Sequence, residues 1–261
     1  MKLFRLTWLF LRISAMNELQ YRANFFAQLL QSVIALGSGL VAITLVFNYT
    51  DDLRGWRYGE LLVVLGVYTV TGGLIKSLIQ PNMERLMDDV RRGTLDYALT
   101  KPEDAQLLVS VRELRIWQTV DILLGLIILA VAVARLQVRV GLWQALVFPV
   151  ALLFGALMIY SFWLIIATGA FWLVRMHNVL ELFQGMYRAG QWPVTIYPTW
   201  LRTGLTFLVP VAFAVTVPAE ALTGRLTLET LLAAAGVCAL LLAVARRWWR
   251  TGLRSYSGAS A

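Results

Sequence analysis

Charge is what this chain has least of. Only 15% of its 261 residues are Asp, Glu, Lys or Arg, while 59% are hydrophobic. A soluble domain carries about 25% charged and about 45–50% apolar residues. The mean hydropathy of +0.69 points the same way, and together they exclude a soluble enzyme or a soluble nucleic-acid-binding domain. The formal charge of +8 and the pI near 10.0 do not reverse this. Basic residues that flank membrane spans on the cytoplasmic side account for such an excess, so membrane lipid is the expected partner and nucleic acid is not.

Cysteine and histidine are almost absent. Cys238, the single cysteine, lies in an apolar run; it allows no intrachain disulfide and no cysteine metal cluster, and reads as a small buried hydrophobe. His177 sits among Arg175, Met176 and Asn178 with no second ligand nearby, so it reads as an interfacial histidine, not as a metal ligand or proton relay. A P-loop needs glycine-rich backbone amides around phosphate and a lysine reaching the outer phosphates. Lys76-Ser77 is a superficial match only, because Ile75 precedes it and the pair closes an apolar helix. There is no zinc-protease helix, no Gly-x-Ser-x-Gly elbow and no paired metal ligands. The chain is read as non-catalytic, with no metal and no cofactor of its own. The N-terminus is not a cleavable signal, since its apolar residues alternate with Arg5, Arg12 and Arg22.

What the chain does have is long apolar runs. Leu3, Leu6, Leu9, Phe10 and Ile13 fall at helical spacing beside Lys2, Arg5, Arg12 and Arg22, which predicts an amphipathic helix over residues 1–22 lying in the membrane interface. Spans are expected at Asn24–Phe47, Tyr58–Ile79, Ile116–Ala134 and Leu142–Val174, each long enough for a hydrocarbon core of about 30 Å. Gly66, Gly72 and Gly73 in the second span would let a neighbouring helix approach closely. Leu226–Ala245 is a final span, ending in the cationic and aromatic cluster Arg246, Arg247, Trp248, Trp249 and Arg250. Two segments between are ambiguous. Asn178–Ile196 is semi-polar, and Thr199–Pro218 is more apolar but broken by Pro210 and Pro218.

Parity decides how many cross. With both termini cytoplasmic, only Arg54, Arg57, Arg135, Arg139, Arg188, Arg202 and Arg225 are left for the far side and the uncertain segment. That bias favours six spans, one ambiguous segment crossing and the other re-entrant. Hydropathy alone would make Thr199–Pro218 the crossing. Irregular backbone at membrane depth is tolerated only when packed in protein or lining a cavity.

One polar island interrupts the hydrocarbon-compatible sequence, from Pro81 to Arg115. It carries Arg85, Arg91, Arg92, Lys101, Arg112 and Arg115 against Glu84, Asp88, Asp89, Asp96, Glu103, Asp104 and Glu113. A lipid-binding patch would be mostly basic, so this mixture points instead to water and protein. Pro81 is expected to end the second span, and Gly93 to stop a helix over Asn82–Val90. Pro102, Glu103 and Asp104 should open a helix leading into the third span. The result is a cytoplasmic helix–turn–helix in which Leu95, Tyr97 and Leu99 pack the turn.

Charges inside spans are costly and mark function by default. Lys76 and Asp121 lie near the cytoplasmic ends of their spans. They either pair or each snorkel to the interface, and snorkelling is the plainer reading. Glu181 and Arg188 are seven apart and share a helix face. They either line a substrate route or hold a helix–helix contact.

Several stretches together resemble the permease subunits of type-2 ABC exporters, in particular their six-span bacterial branch. Arg92, Gly93, Thr94, Leu95, Asp96 and Tyr97, followed by Leu99, Thr100, Lys101 and Pro102, are similar to the cytoplasmic signature after the second span. Gly190, Trp192, Pro193, Tyr197, Pro198, Trp200, Leu201 and Arg202, followed by Pro210, Pro218 and Gly224, resemble the proline-punctuated outer segment after the fifth span. Residues Gly252 to Ser257 look like the branch's ending, so the resemblance covers essentially the whole chain.

The resemblance implies an all-α membrane protein with an interfacial first helix and six transmembrane helices. The fifth span would then be Asn178–Trp192, against simple hydropathy, with re-entrant helices over residues 195–218 marked by Pro193, Pro198, Trp200, Pro210 and Pro218. It also implies a bacterial inner-membrane subunit that exports cargo using ATP and Mg bound to a separate ATP-binding cassette ATPase. That ATPase would dock on the island, with Glu84, Arg91, Arg92, Asp96 and Lys101 as polar contacts. The permease partner would be a second copy or a related chain. The abundant Phe, Trp and Met suit an amphiphilic cargo. A membrane assembly or scaffold protein and an ion-coupled carrier are the competing readings; no internal repeat of the carrier kind is evident.

Overall fold

The computed structural model describes residues 22–136, 141–173 and 177–256, with Arg12 and Met16. The interfacial helix expected over 1–22 therefore lies outside the described residues, as do Arg139, Arg175 and Ser257. The described residues form helices and no strand. Five helices are long and apolar enough to cross a membrane, or six if the bent pair near residue 210 counts as one span.

The first helix, α1, is Arg22–Phe47. A loop containing Trp56 leads to α2, Tyr58–Leu74, whose Glu60 carboxylate accepts from the Arg57 N–H and helps cap the helix. The π-helical stretch Ile75–Ile79 joins α2 to α3, Gln80–Arg92. Pro81 therefore does not end the second span, contrary to expectation. The helix runs unbroken for 35 residues, Tyr58 to Arg92. The Ser77 carbonyl, which Pro81 leaves without its helical donor, accepts instead from the Arg115 N–H, and the π turn widens the helix just ahead of the proline.

Gly93, at φ +70°, terminates α3 as expected of a left-handed cap. Single-turn helices α4, Asp96–Leu99, and α5, Ala105–Val109, follow. Here too the expectation is corrected. The helix opened by Asp104 stops at Val109 and does not lead into the third span; an irregular stretch intervenes, and the Arg115 N–H donates to the Ser77 carbonyl at 2.9 Å. The third span is α6, Thr119–Leu136.

Helices α2 and α6 pack with almost no room between them. A Cβ at Gly73 would stand 2.8 Å from the Ile122 nitrogen, and one at Gly125 would stand 2.7 Å from the Val70 nitrogen. This is the close approach that small residues permit in membranes. Gly66 serves the same contact, whereas Gly72 faces Tyr187 instead.

Helix α7, Leu142–Thr168, packs along the last helix, α11, Leu228–Arg254. That last helix extends through Arg246, Arg247, Trp248, Trp249 and Arg250, so the cluster expected to flank the final span is itself helical, with Trp249 buried. Helix α8 is His177–Arg188, only 12 residues. At 1.5 Å per residue it is about 18 Å long. Short 3-10 turns carry the chain on to Ile196.

Contacts order these pieces along the bundle. Tyr187 stacks on Tyr68 midway along α2, and the Trp56 Nε1 donates to Thr195 Oγ1 at 2.9 Å at the loop end. The next stretch is Thr199–Leu208 and Ala212–Thr223, bent by 80°. It contains α9, Thr199–Thr203, and α10, Val217–Thr223, with π-helical turns between them. Midway, the Thr71 hydroxyl donates to the Ala214 carbonyl at 3.2 Å. Just past α10, Arg225 returns to the loop end, donating to the Gly55 carbonyl and to Glu60. Pro198 caps α9, and Pro210 follows the extended Val209, so no continuous helix can form there.

Candidate functional site: the polar tip and an intramembrane polar cluster

The island folds back on itself through charge pairs. Arg115 donates to Glu84 at 2.8 Å, Arg85 to Glu113 at 2.7 Å and Arg112 to Asp89 at 2.7 Å. The Asn82 amide group spans the island's two strands of chain, donating to the Glu113 carbonyl and accepting from the Glu113 N–H. Glu84, expected to be a docking contact, is thus an internal brace.

Asp104 does two jobs. It caps α5 by accepting from the N–H groups of Gln106 and Leu107, and it receives both terminal guanidinium nitrogens of Arg246 from the last span. The Arg246 guanidinium holds its carboxyl below the usual carboxylate range. Arg246 also donates to the Gln106 Oε1 at 2.7 Å, while the Gln106 amide and the Ser110 hydroxyl meet Tyr160 on α7. Sequence spacing gave no signal for the Asp104–Arg246 link, which joins residues far apart in the chain.

At the tip, Leu95 and Ala98 are fully buried and Leu99 is half-buried. Tyr97 is 77% exposed, which corrects its expected role as turn packing. On a single helical turn, positions 95, 98 and 99 share the inward face and 97 points away. Thr94 braces the turn from behind, its hydroxyl donating to Asp89 at 2.9 Å. Asp96 is half-buried beside Tyr256 of the C-terminal end. Arg91, Arg92, Thr100, Lys101, Pro102 and Leu107 are also exposed in this stretch of the chain. Arg91 and Arg92 both reach Asp88, at 3.5 and 3.9 Å. The tip thus exposes an aromatic ring on a stretch of mixed charge, in which Asp88 accompanies both arginines.

Within the bundle, Lys76 and Asp121 pair at 3.0 Å rather than snorkelling apart. Asp121 is buried, and its other oxygen accepts from the Ser32 hydroxyl and, at 3.4 Å, from the Gln28 amide. Gln118 donates to the Gln28 Oε1 at 2.8 Å. The sequence holds a faint signal for this cluster. Gln28 and Ser32 sit one turn apart in an apolar helix, as do Gln118 and Asp121.

Glu181 and Arg188 are exposed on one face of α8, together with Gln184. The opposite face is packed, with Phe183 against Trp163 and the Tyr187 hydroxyl donating to the Tyr68 carbonyl at 2.8 Å. Of the residues expected to mark the bent segment, Pro210 lies at its bend, Pro198 precedes α9, Pro193 precedes the 3-10 turn Val194–Ile196, Pro218 lies in the first turn of α10, and Trp200 is 75% exposed.

A family model described as ABC-2 family transporter protein matches residues 33–260, nearly the whole chain. The chain belongs to the ABC-2 transporter family. No curated protein and no solved structure is significantly similar to it. The permease is accordingly a membrane-embedded transport component, and its family implies pairing with an ABC ATPase subunit.

Proposed function

We propose that the permease is half of an outward-directed translocation pathway, powered by ATP and Mg held in a separate ATPase that docks on the island tip. The observation that carries this reading is the tip itself. An exposed tyrosine on the same polar stretch as the exposed Arg91 and Arg92 has the composition of a protein-docking hot spot. It is joined to the second span by one continuous helix and to the last span by the Asp104–Arg246 pair. Motion delivered there reaches two spans directly.

The other half of the pathway is a second copy or a related permease. The exposed polar face of α8 supports this, because Glu181, Gln184 and Arg188 would otherwise meet lipid at a cost of several kcal/mol. The fifth crossing is carried by residues 177–196, and residues 199–223 form a re-entrant pair. Support comes from the contacts of Thr195 and Arg225, which bring both ends of the bent segment to the loop around Trp56. Both termini then lie on the cytoplasmic side of a bacterial inner membrane, with the island.

The test is co-purification of the full chain with a co-expressed ABC ATPase. Tyr97→Ala and Arg92→Glu should each weaken recovery of the ATPase about tenfold or more, as expected of hot-spot residues. If the wild-type chain recruits no ATPase, the proposal fails.

A further inference from the structure

A cavity of about 290 Å³ lies between α1, α2, α6 and α8, walled by the Lys76–Asp121 cluster at one end and by Leu36 and Leu65 further along. Its hydrogen-bonding capacity is uneven. Asp121 is buried and already engaged, one oxygen taken by Ser32 and Gln28 and the other by Lys76, with 8% of its side chain exposed. Its charge is balanced by Lys76, so it is a poor anchor for a cationic ligand. Lys76 is different: an ammonium carries three donors, one goes to Asp121, and 53% of its side chain remains exposed. Gln118 spends its amide nitrogen on Gln28, and its Oε1 is buried without a partner among the described residues.

An ammonium with spare donors suits an anionic acceptor, and an unmatched carbonyl oxygen at membrane depth suits an O–H or N–H. One wall of the cavity, α1, is itself mostly exposed. Helices α1 and α2 meet closely at Gly39 and Leu65, yet only 17% of the first span's most apolar window is buried, against 72% for the second. We propose that this cavity receives the anionic, hydroxyl-bearing headgroup of an amphiphile from the leaflet on the island side. Lys76 is the counter-charge, Gln118 Oε1 the acceptor, and the apolar chain runs past Leu36 and Leu65. This rests on the permease reading and names the ligand class of one of its polar sites. A resident phospholipid and a cargo amphiphile share that chemistry.

The experiment uses the full chain with its ATPase in nanodiscs of phosphatidylcholine doped with phosphatidylglycerol. Lipid adducts are read by native mass spectrometry. A saturable phosphatidylglycerol adduct is expected, with about tenfold preference over phosphatidylcholine, the factor one or two charge-assisted hydrogen bonds supply. Lys76→Gln and Gln118→Leu should each abolish the preference, and Lys76→Arg should keep it. Leu36→Trp narrows the cavity without touching the polar cluster and should also displace the lipid. The assignment is overturned if phosphatidylglycerol binds no better than phosphatidylcholine, or if Lys76→Gln and Leu36→Trp bind it like wild type. ATP-driven movement of labelled phosphatidylglycerol across vesicles marks it as cargo; binding without movement marks a resident lipid. ATPase recovery is scored in the same preparations. Normal recovery with indifferent lipid binding sinks this assignment alone, whereas absent recovery in wild type sinks the permease assembly.

Discussion

Lys76 and Asp121 differ in how much each needs the other. The lysine is half exposed and can find water or a headgroup, while the carboxylate is buried and cannot. Removing the lysine leaves a buried charge, and leaving such a group unmatched costs about 1–3 kcal/mol or more. Lys76→Met should therefore lower the unfolding midpoint clearly. Asp121→Asn placed on top of it should recover most of the loss, because the amide still accepts from Ser32 without a charge to solvate. A double-mutant cycle by thermal unfolding in detergent measures this coupling; additive losses would mean the pair is incidental. Gly73 is the apolar counterpart. Its missing side chain is where Ile122 backbone sits, so Gly73→Leu must push α2 and α6 apart at a cost of about 1–3 kcal/mol or more. Gly185, which has no atom near a built Cβ, should accept alanine with little change.

Among the elements, the long spans were legible because a run of apolar residues long enough for a bilayer has few other uses. The Gly93 stop was legible for a local reason too: a left-handed cap favours glycine. Pro81 misled because proline's effect depends on its surroundings, and the π turn from Ile75 to Ile79 that absorbs it leaves no mark in composition. Asp104 was legible as a helix cap but not as the partner of Arg246, since no periodicity relates positions so far apart in sequence. That pair ties the island to the last span, and it has a pH signature. Arg246 depresses the Asp104 carboxyl in the folded state, so the stabilisation is complete above the unfolded carboxylate value of about 3.9 and is lost as pH falls through the lower folded value. Unfolding scans between pH 7 and 3 should be flat in this contribution until strongly acid conditions. Asp104→Asn should be less stable near neutrality, and the gap should begin to narrow once the pH falls below about 3.9. A constant difference across the range would show that the aspartate acts only as a cap.

For the whole molecule, the decisive asymmetry is that α8, the helix proposed to carry the fifth crossing, has one polar face. Glu181, Gln184 and Arg188 are exposed, while Phe183 and Tyr187 on the other side are buried. A charged side chain facing lipid near the bilayer centre costs about 2.5–3.5 kcal/mol on insertion scales, so this face belongs against water or a second permease. Cysteine chemistry separates the alternatives cleanly, because the single native cysteine, Cys238, is buried at 3% exposure. In the assembled transporter, Gln184→Cys should react with a small, charged, membrane-impermeant thiol reagent, at a rate that changes when ATP is supplied. Leu232→Cys, on an exposed apolar face of the last span, should stay unreactive because a charged reagent does not enter lipid. Equal and negligible labelling at both positions would show that the α8 face does not line a water-filled path, and the half-pathway reading would then lose the support it draws from that face.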